Sequence, residues 1–404
     1  MRDHPLEPFW PKQKLQNEDL WFYNSYPIQG YPESGKADVA HHGRMIFLGS
    51  YSYLGLNGDP RINQAAQEAI GLYGTGAHGV RLLAGTLEIH KQLESKIASF
   101  KGTESAIVFS SGFMTNVSVI ASVLSRQDTV IIDRLAHASI IDGCHLSRAK
   151  LLRFKHNDMD SLEQCLTSLE AKGRKLVIVD GVYSMDGDVA DLPNIHQLCR
   201  RHGATLMVDE AHSLGVIGKT GRGIEEHFSM PMDTIDIKMG TLSKAIPSVG
   251  GYVAGSAKLC EFLSLQARGF IYSGALPAAS AAAALEAFKI IETEPARVEI
   301  LHRNVEHFAK GLREIGLSYL NSTSAVFPIV CGSDWDAWRL ARFCQRRGIF
   351  VQAIPHPVVP KGLARLRAAV TAAHTVEDLN RCLSVLQQGT CSIPEVLRQH
   401  TSKN

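Results

Sequence analysis

The chain has 404 residues, 45% of them hydrophobic and 20% charged, with 34 glycines and a net charge of +2. That composition excludes a disordered or fibrous chain. The near-neutral balance, without any run of five or more like charges, argues against a nucleic-acid-binding surface.

In chain order, residues 1–50 read as an N-terminal arm, polar apart from the aromatic cluster Trp21, Phe22, Tyr23 and Tyr26, which is expected to dock on a neighbouring surface. The start, MRDHPLEPFWPKQ, has no apolar core, so no secretory signal is expected and a cytoplasmic location follows. The eight cysteines show no CxxC pair and read as reduced packing residues. Residues 87–100 carry Leu93, Ile97 and Phe100 at helical spacing. Short apolar strands are expected at Ala106–Phe109, Val130–Asp133, Leu151–Phe154, Leu176–Asp180, Thr205–Asp209, Ile235–Met239 and Tyr252–Ala254. Runs this apolar are covered on both faces, and helical segments lie between them, so the fold class is α/β with a mostly parallel seven-stranded sheet. The Ala-rich stretch 275–291 is broken by Glu286 and Lys289 and suits a buried helix rather than a membrane span. The large domain is drawn at 51–290. After it come a helix (297–315), short strands near 326–331 and 349–353, a Pro-rich turn and a last helix: a smaller α+β C-terminal domain, 291–404.

Ligands in such sheets bind beyond the carboxyl ends of the strands, and several polar residues fall there. Asp209 closes the strand ATLMVD, with His212 three residues on; a capping aspartate at a strand–helix turn is the plain alternative. The DEAH spelling followed by Gly218-Lys219-Thr220 suggests a helicase, but a P-loop needs Gly at position 213, where Ser stands, and should precede the acidic motif. Lys244 lies in GTLSKAIPSVGG after the next strand, beside the hydroxyls of Thr241 and Ser243. Ser111-Gly112-Phe113 follows a strand and opens a helix, the setting for a phosphate. His137 and Ser184 follow two further strands; alone, His137 reads as a packed core residue. Gly74, Gly76 and Gly79 spell GxGxxG, but they follow a helix rather than a strand, so they mark a loop and not a dinucleotide site. Arg367, taken alone, reads as a surface arginine paired with an acid; the other reading is a bidentate clamp on a carboxylate.

An amine and a carboxylate at one sheet edge suit pyridoxal 5'-phosphate (PLP). Its aldehyde takes a lysine. Its pyridine nitrogen pairs with an acid, which lets the ring act as an electron sink.

The ordered motifs SYLGL (52–56), GTLEIH (85–90), SSGF (110–113), DRLAHAS (133–139), DGVYSMDGD (180–188), VDEAHSLGVIG (208–218), GTLSKA (240–245) and TAAHT (371–375) resemble the α-oxoamine synthases. These are fold-type-I PLP enzymes, and the likeness runs from about residue 44 to 385, closest in texture to the bacterial serine palmitoyltransferases. The resemblance implies an acyltransferase that joins an amino acid (serine, alanine or glycine) to an acyl thioester carried on CoA or an acyl-carrier protein. The products are an α-aminoketone, CO2 and free thiol. Another PLP-dependent activity, such as aminotransfer, is the alternative.

By the resemblance, Lys244 is the Schiff-base lysine, Asp209 the ring-nitrogen partner, His212 the donor to the ring hydroxyl and His137 the stacking residue. Gly112, Phe113 and Thr241 match phosphate contacts, Ser184 a ring-edge contact and Arg367 the substrate-carboxylate arginine. It also implies a homodimer with shared active sites, in which Ser273 reaches the neighbour's phosphate. Three departures bear on the substrates. Tyr51 stands where many relatives have Asn near the substrate carboxylate, Gly274 stands where relatives often have Thr, and Leu82 and Leu83 make the site's mouth apolar.

Overall fold

The computed structural model describes residues 27–168 and 173–393. The aromatic cluster at 21–26 and the tail at 398–404 lie outside the described residues. Three short strands come first: β1 (Ile28–Gly30), β2 (Lys36–Val39) and β3 (Gly43–Phe47). Seven more build the central sheet: β4 (Ser105–Phe109), β5 (Thr129–Asp133), β6 (Lys150–Phe154), β7 (Lys175–Asp180), β8 (Ala204–Asp209), β9 (Ile237–Ser243) and β10 (Pro247–Gly255). The seven strands expected from the apolar runs are all present, most of them extended by a residue or two. The last four are β11 (Val326–Gly332), β12 (Ile349–Phe350), β13 (Gln352–Ile354) and β14 (Ala364–Ala369).

The central sheet runs in the order β4-β10-β9-β8-β7-β5-β6. β10 is antiparallel to both its neighbours, while β5–β9 pair in parallel. Alternate residues of one strand enter opposite layers. Leu206 and Val208 join one core and Met207 the other; Val177 and Val179 join the first, Leu176 and Ile178 the second. Period-two alternation with both faces buried leaves few polar positions inside these strands, and the buried Lys238 of β9 is paired with Glu225 at 2.7 Å. Each fully buried Leu or Ile there contributes about 1.5–3 kcal/mol. Polar residues therefore collect at strand ends.

The Ala-rich helix spans Ala278–Thr293, and ten of its residues are buried. The C-terminal strands form an antiparallel sheet, β11-β14-β13, over a separate core that the helices Asp334–Gln345 and Val376–Ser392 help to build. β3 pairs in parallel with β12, so the chain before residue 50 is hydrogen-bonded to the C-terminal part. Among the described residues no helix is long and apolar enough to cross a membrane. Six of the eight cysteines are buried, and none is in a disulfide.

Candidate active site

Strand β8 delivers Asp209 to the carboxyl edge of the sheet, where it is only 4% exposed. One carboxylate oxygen accepts from the Ala211 N–H at 2.9 Å and the other from Asn116 Nδ2 at 2.7 Å. Asn116 belongs to the helix Gly112–Val123, whose N-cap Ser111 accepts from the Met114 N–H. It lies one turn beyond Gly112 and so faces the same side. Its amide also donates to Ser139 Oγ at 2.9 Å. A Cβ on Gly112 would stand 2.8 Å from Thr241 Oγ1, so only glycine lets this helix start come so close to β9. The first-turn N–H groups of Gly112 and Phe113 have no acceptor within the helix. They face a region where Thr241 Oγ1 and Ser243 Oγ lie 2.8 Å apart.

The neighbouring strand brings a second carboxyl. Asp180 is paired in register with Asp209 and accepts from the His137 N–H at 3.2 Å. Burial, reinforced by the Asp209 charge, raises its pKa well above the ordinary carboxylate value. His137 caps the helix Ala138–Ser147, with Nδ1 2.7 Å from Ser139 Oγ. Burial lowers its pKa, which leaves a neutral flat ring in the cavity.

Lys244 follows β9 directly. Burial pulls its amine down to about 8, against the pull of Asp209 and with the help of Arg367. Its Nζ lies 2.7 Å from His212 Nε2, and His212 Nδ1 lies 2.7 Å from the Tyr53 hydroxyl. Burial pushes the Tyr53 phenol up to about 12, with the Arg367 guanidinium beside it opposing. Burial and the Lys244 charge hold the His212 pKa well below its ordinary value, so the neutral ring donates from one nitrogen and accepts at the other along this chain.

A cavity of about 280 Å³ brings Lys244, Asp209, Asp180, His137, His212 and Thr241 together. Larger cavities of about 460 and 600 Å³ lie elsewhere and include neither Lys244 nor Asp209. Among the described residues no cluster of His, Cys, Asp and Glu is arranged to hold a metal ion.

Arg367 sits on β14 and reaches this edge from the C-terminal sheet. Its Nε donates to the Ser184 carbonyl at 2.7 Å, and its buried Nη2 has no partner. The Tyr51 ring packs on it, 4.8 Å from Cζ to the ring centroid, and lies 5.7 Å from Lys244 Nζ. Ser184 thus contributes a carbonyl that steers Arg367. Phe113 is half exposed and edge-on to His137. Ser273 contacts Ser110 across 3.4 Å between hydroxyls, beside the isolated bridge of Val80 with Gly274.

Sequence reasoning missed Tyr53, Asn116, Ser139 and Asp180 as members of the site. Tyr53 and Asp180 were inside quoted motifs, and Asn116 was reachable as the residue one helical turn after Gly112.

The residues present fit PLP. A near-neutral amine and a hydrogen-bonded carboxylate line one cavity, a neutral imidazole offers a flat face, and a helix start with paired hydroxyls offers an anion site. The partnerless Arg367 Nη2 is a donor left over for a carboxylate.

A family model described as aminotransferase class I and II matches residues 44–386. The 8-amino-7-oxononanoate synthase of Symbiobacterium thermophilum is 46% identical over 84% of this chain and 87% of its own. That of Thermoanaerobacter pseudethanolicus is 44% identical over 93% and 95%. Among solved structures, the serine palmitoyltransferase of Sphingomonas wittichii superposes with a TM-score of 0.89 at 31% identity, covering 93% of this chain and 94% of that one. The 8-amino-7-oxononanoate synthase of Francisella tularensis gives 0.75 at 28% identity, covering 87% and 99%.

Proposed function

Since the chain belongs to the class I and II aminotransferase family, and within it to the α-oxoamine synthases, we propose that its substrates are L-alanine and a seven-carbon dicarboxylic acyl thioester. The reaction class is a PLP-dependent decarboxylative condensation of an amino acid with an acyl thioester, releasing CO2 and free thiol. The observation that carries the choice of substrates is the 46% identity over 84% of the chain with an 8-amino-7-oxononanoate synthase. The last two carbons and the amine of that product are alanine without its carboxylate, and its first seven carbons are a heptanedioyl group. A second reading, serine with a long-chain acyl thioester, is favoured by the serine palmitoyltransferase superpositions and by Leu82 and Leu83, 51% and 84% exposed.

When bound, PLP supplies an electron sink for the carbanion at the amino acid's α-carbon. Lys244 holds the cofactor aldehyde, and its amine, freed by the incoming amino acid, moves the proton at the α-carbon. With a pKa of about 8 it serves as base and acid near neutrality. Asp209, kept in place by Asn116 and Ala211, holds a proton on the pyridine nitrogen. Asp180, whose ionisation burial and the Asp209 charge oppose, fixes the backbone of His137, whose ring covers the cofactor face. His212 donates from Nε2 to the ring hydroxyl. Gly112, Phe113, Thr241 and Ser243 hold the phosphate. Arg367 binds the amino acid's carboxylate, which departs as CO2 after the new carbon–carbon bond forms and the thiol leaves. Ser273, in our reading, serves the neighbouring active site of a homodimer in the cytoplasm, with the exposed Leu82, Leu83 and Tyr272 at the surface between subunits.

The test is a matrix of L-alanine, L-serine and glycine against CoA thioesters of heptanedioate, acetate and palmitate, reading thiol and CO2 together. Alanine with heptanedioyl-CoA should turn over fastest. Equal release of CO2 and thiol excludes aminotransfer. A preference for serine with palmitoyl-CoA replaces the first reading by the second.

A further inference from the structure

A second charged cluster lies outside the cavity and is not used by the chemistry above. His156 follows β6 and sits between two carboxylates, one at the end of β5 and one on the loop after β7. Its Nδ1 is 3.1 Å from both oxygens of Asp133, and its Nε2 is 2.8 Å from Asp188 Oδ2. Asp133 ends β5 and is fully buried; it also accepts from the N–H groups of Leu135 and Asn157, at 2.8 and 3.0 Å. Asn157 adopts a left-handed φ of 50° and donates to Asp188 and to the Val189 carbonyl, both at 3.0 Å. The Tyr183 ring stands edge-on to the imidazole, with centroids 4.5 Å apart.

A neutral imidazole donates from one nitrogen only, whereas here both nitrogens face carboxylate oxygens. The protonated ring alone satisfies both. Burial opposes the charge, but the bonds to Asp133 and Asp188 outweigh it and push the pKa up to about 10.

What the cluster holds is a turn. Within 183–188 the Tyr183 N–H donates to the Asp188 carbonyl at 3.0 Å, and the Gly187 N–H to the Tyr183 carbonyl at 2.8 Å. His156 thus grips both ends of this turn, Asp188 by an ion pair and Tyr183 by ring contact. The carbonyl at its crest belongs to Ser184 and accepts from Arg367 Nε, while Met185 and Asp186 accept from Arg365. We infer that His156 is a positioning residue: by bridging Asp133 and Asp188 it fixes the turn whose Ser184 carbonyl aims Arg367 at the substrate carboxylate. This rests on the reading of Arg367 as the carboxylate-binding residue. His156 touches neither the cavity nor the reacting atoms, so its effect is on how well a carboxylate is recognised, not on the bond-making groups.

The experiment compares two ligands that share an amine and a methyl group. The wild-type and His156→Gln holoenzymes are titrated with L-alanine and with ethylamine, which lacks the carboxylate, following the cofactor absorbance. The expected result is a loss of about tenfold or more in alanine affinity, the scale of one displaced charge-assisted hydrogen bond, with ethylamine affinity unchanged. Parallel weakening of both ligands, or no change in either, overturns the inference. Asp188→Asn removes one arm of the bridge at little change in shape and should give the same carboxylate-selective loss in smaller measure; it decides the matter alone if His156→Gln does not fold. A wild-type enzyme that binds alanine no better than ethylamine overturns the Arg367 reading itself, and this inference with it.

Discussion

Tyr53→Phe is the most searching single substitution. The ring stays and its packing is kept, but the hydroxyl that connects Arg367 to His212 is deleted. Tyr53 is fully buried and its oxygen is 2.7 Å from His212 Nδ1. Deleting it leaves a buried imidazole nitrogen without a partner, which costs about 1–3 kcal/mol. It also removes one of the two hydrogen-bond partners that set which nitrogen of His212 carries the proton. If that cost falls on the transition state, kcat/KM drops by roughly ten- to a hundredfold, at about 1.4 kcal/mol per decade. A second consequence follows if Tyr53 donates to Nδ1, as the proposed donor role of His212 requires. Nε2 then carries a proton 2.7 Å from Lys244 Nζ, whose pKa burial draws down to about 8. Deleting the hydroxyl lets Nε2 accept from the ammonium instead, raising that pKa. Two assays follow: thiol release with alanine and heptanedioyl-CoA, and the rate of PLP capture by the cofactor-free enzyme as a function of pH. Capture should be half-maximal near pH 8 in the wild type and at higher pH in Tyr53→Phe. A variant within twofold of wild type in kcat/KM, with an unmoved capture midpoint, refutes the proton arrangement argued for this chain.

Other outcomes are equally definite. Lys244→Ala should abolish both the visible absorbance of lysine-bound cofactor and its borohydride-fixed label, with turnover falling to background. Asp209→Asn keeps an acceptor for only one of its two donors, the Ala211 N–H and Asn116 Nδ2, and removes the charge proposed to hold the ring-nitrogen proton; kcat should fall by roughly 10²–10³-fold, measured by CO2 release at saturating substrates. Asp180→Asn, by contrast, keeps an acceptor for the His137 N–H at a position where burial and the Asp209 charge already disfavour a carboxylate, so activity should stay within a few-fold. For His156 the folded pKa of about 10 lies above the ordinary 6.5, so its contribution to stability is complete below pH 6.5 and is lost as pH rises toward 10. The thermal midpoint of the wild type should therefore fall more steeply over that window than that of His156→Gln, read by scanning calorimetry at fixed salt; parallel curves contradict the ion-pair account.

The elements of the fold and the first layer of the site were legible in the chain for one physical reason. A strand covered on both faces takes mostly apolar residues, with a rare paired exception such as Lys238 of β9, so the polar residues that punctuate such runs mostly mark its ends. That logic found β4–β10 and singled out Asp209, His137, Ser184 and Lys244 from local pattern. It could not say which strand ends would be neighbours. The order β4-β10-β9-β8-β7-β5-β6 sets Asp180 beside Asp209, and helix packing lays Asn116 on an aspartate 93 residues away. The bond from Tyr53 to His212 spans 159 residues, and the one from Arg367 to Ser184 spans 183. Arg367 itself rides on β14, a strand whose RLRAAV pattern was not recognised and whose placement depends on a second sheet. Hydrogen bonds are decided at about 3 Å, and spacing along the chain carries no information on that scale once the partners lie on different elements. Residue types and strand ends came from the sequence; the partner of each polar group, and with it the pKa shifts of Asp180, His212 and Lys244, was decided only when the sheets closed around them.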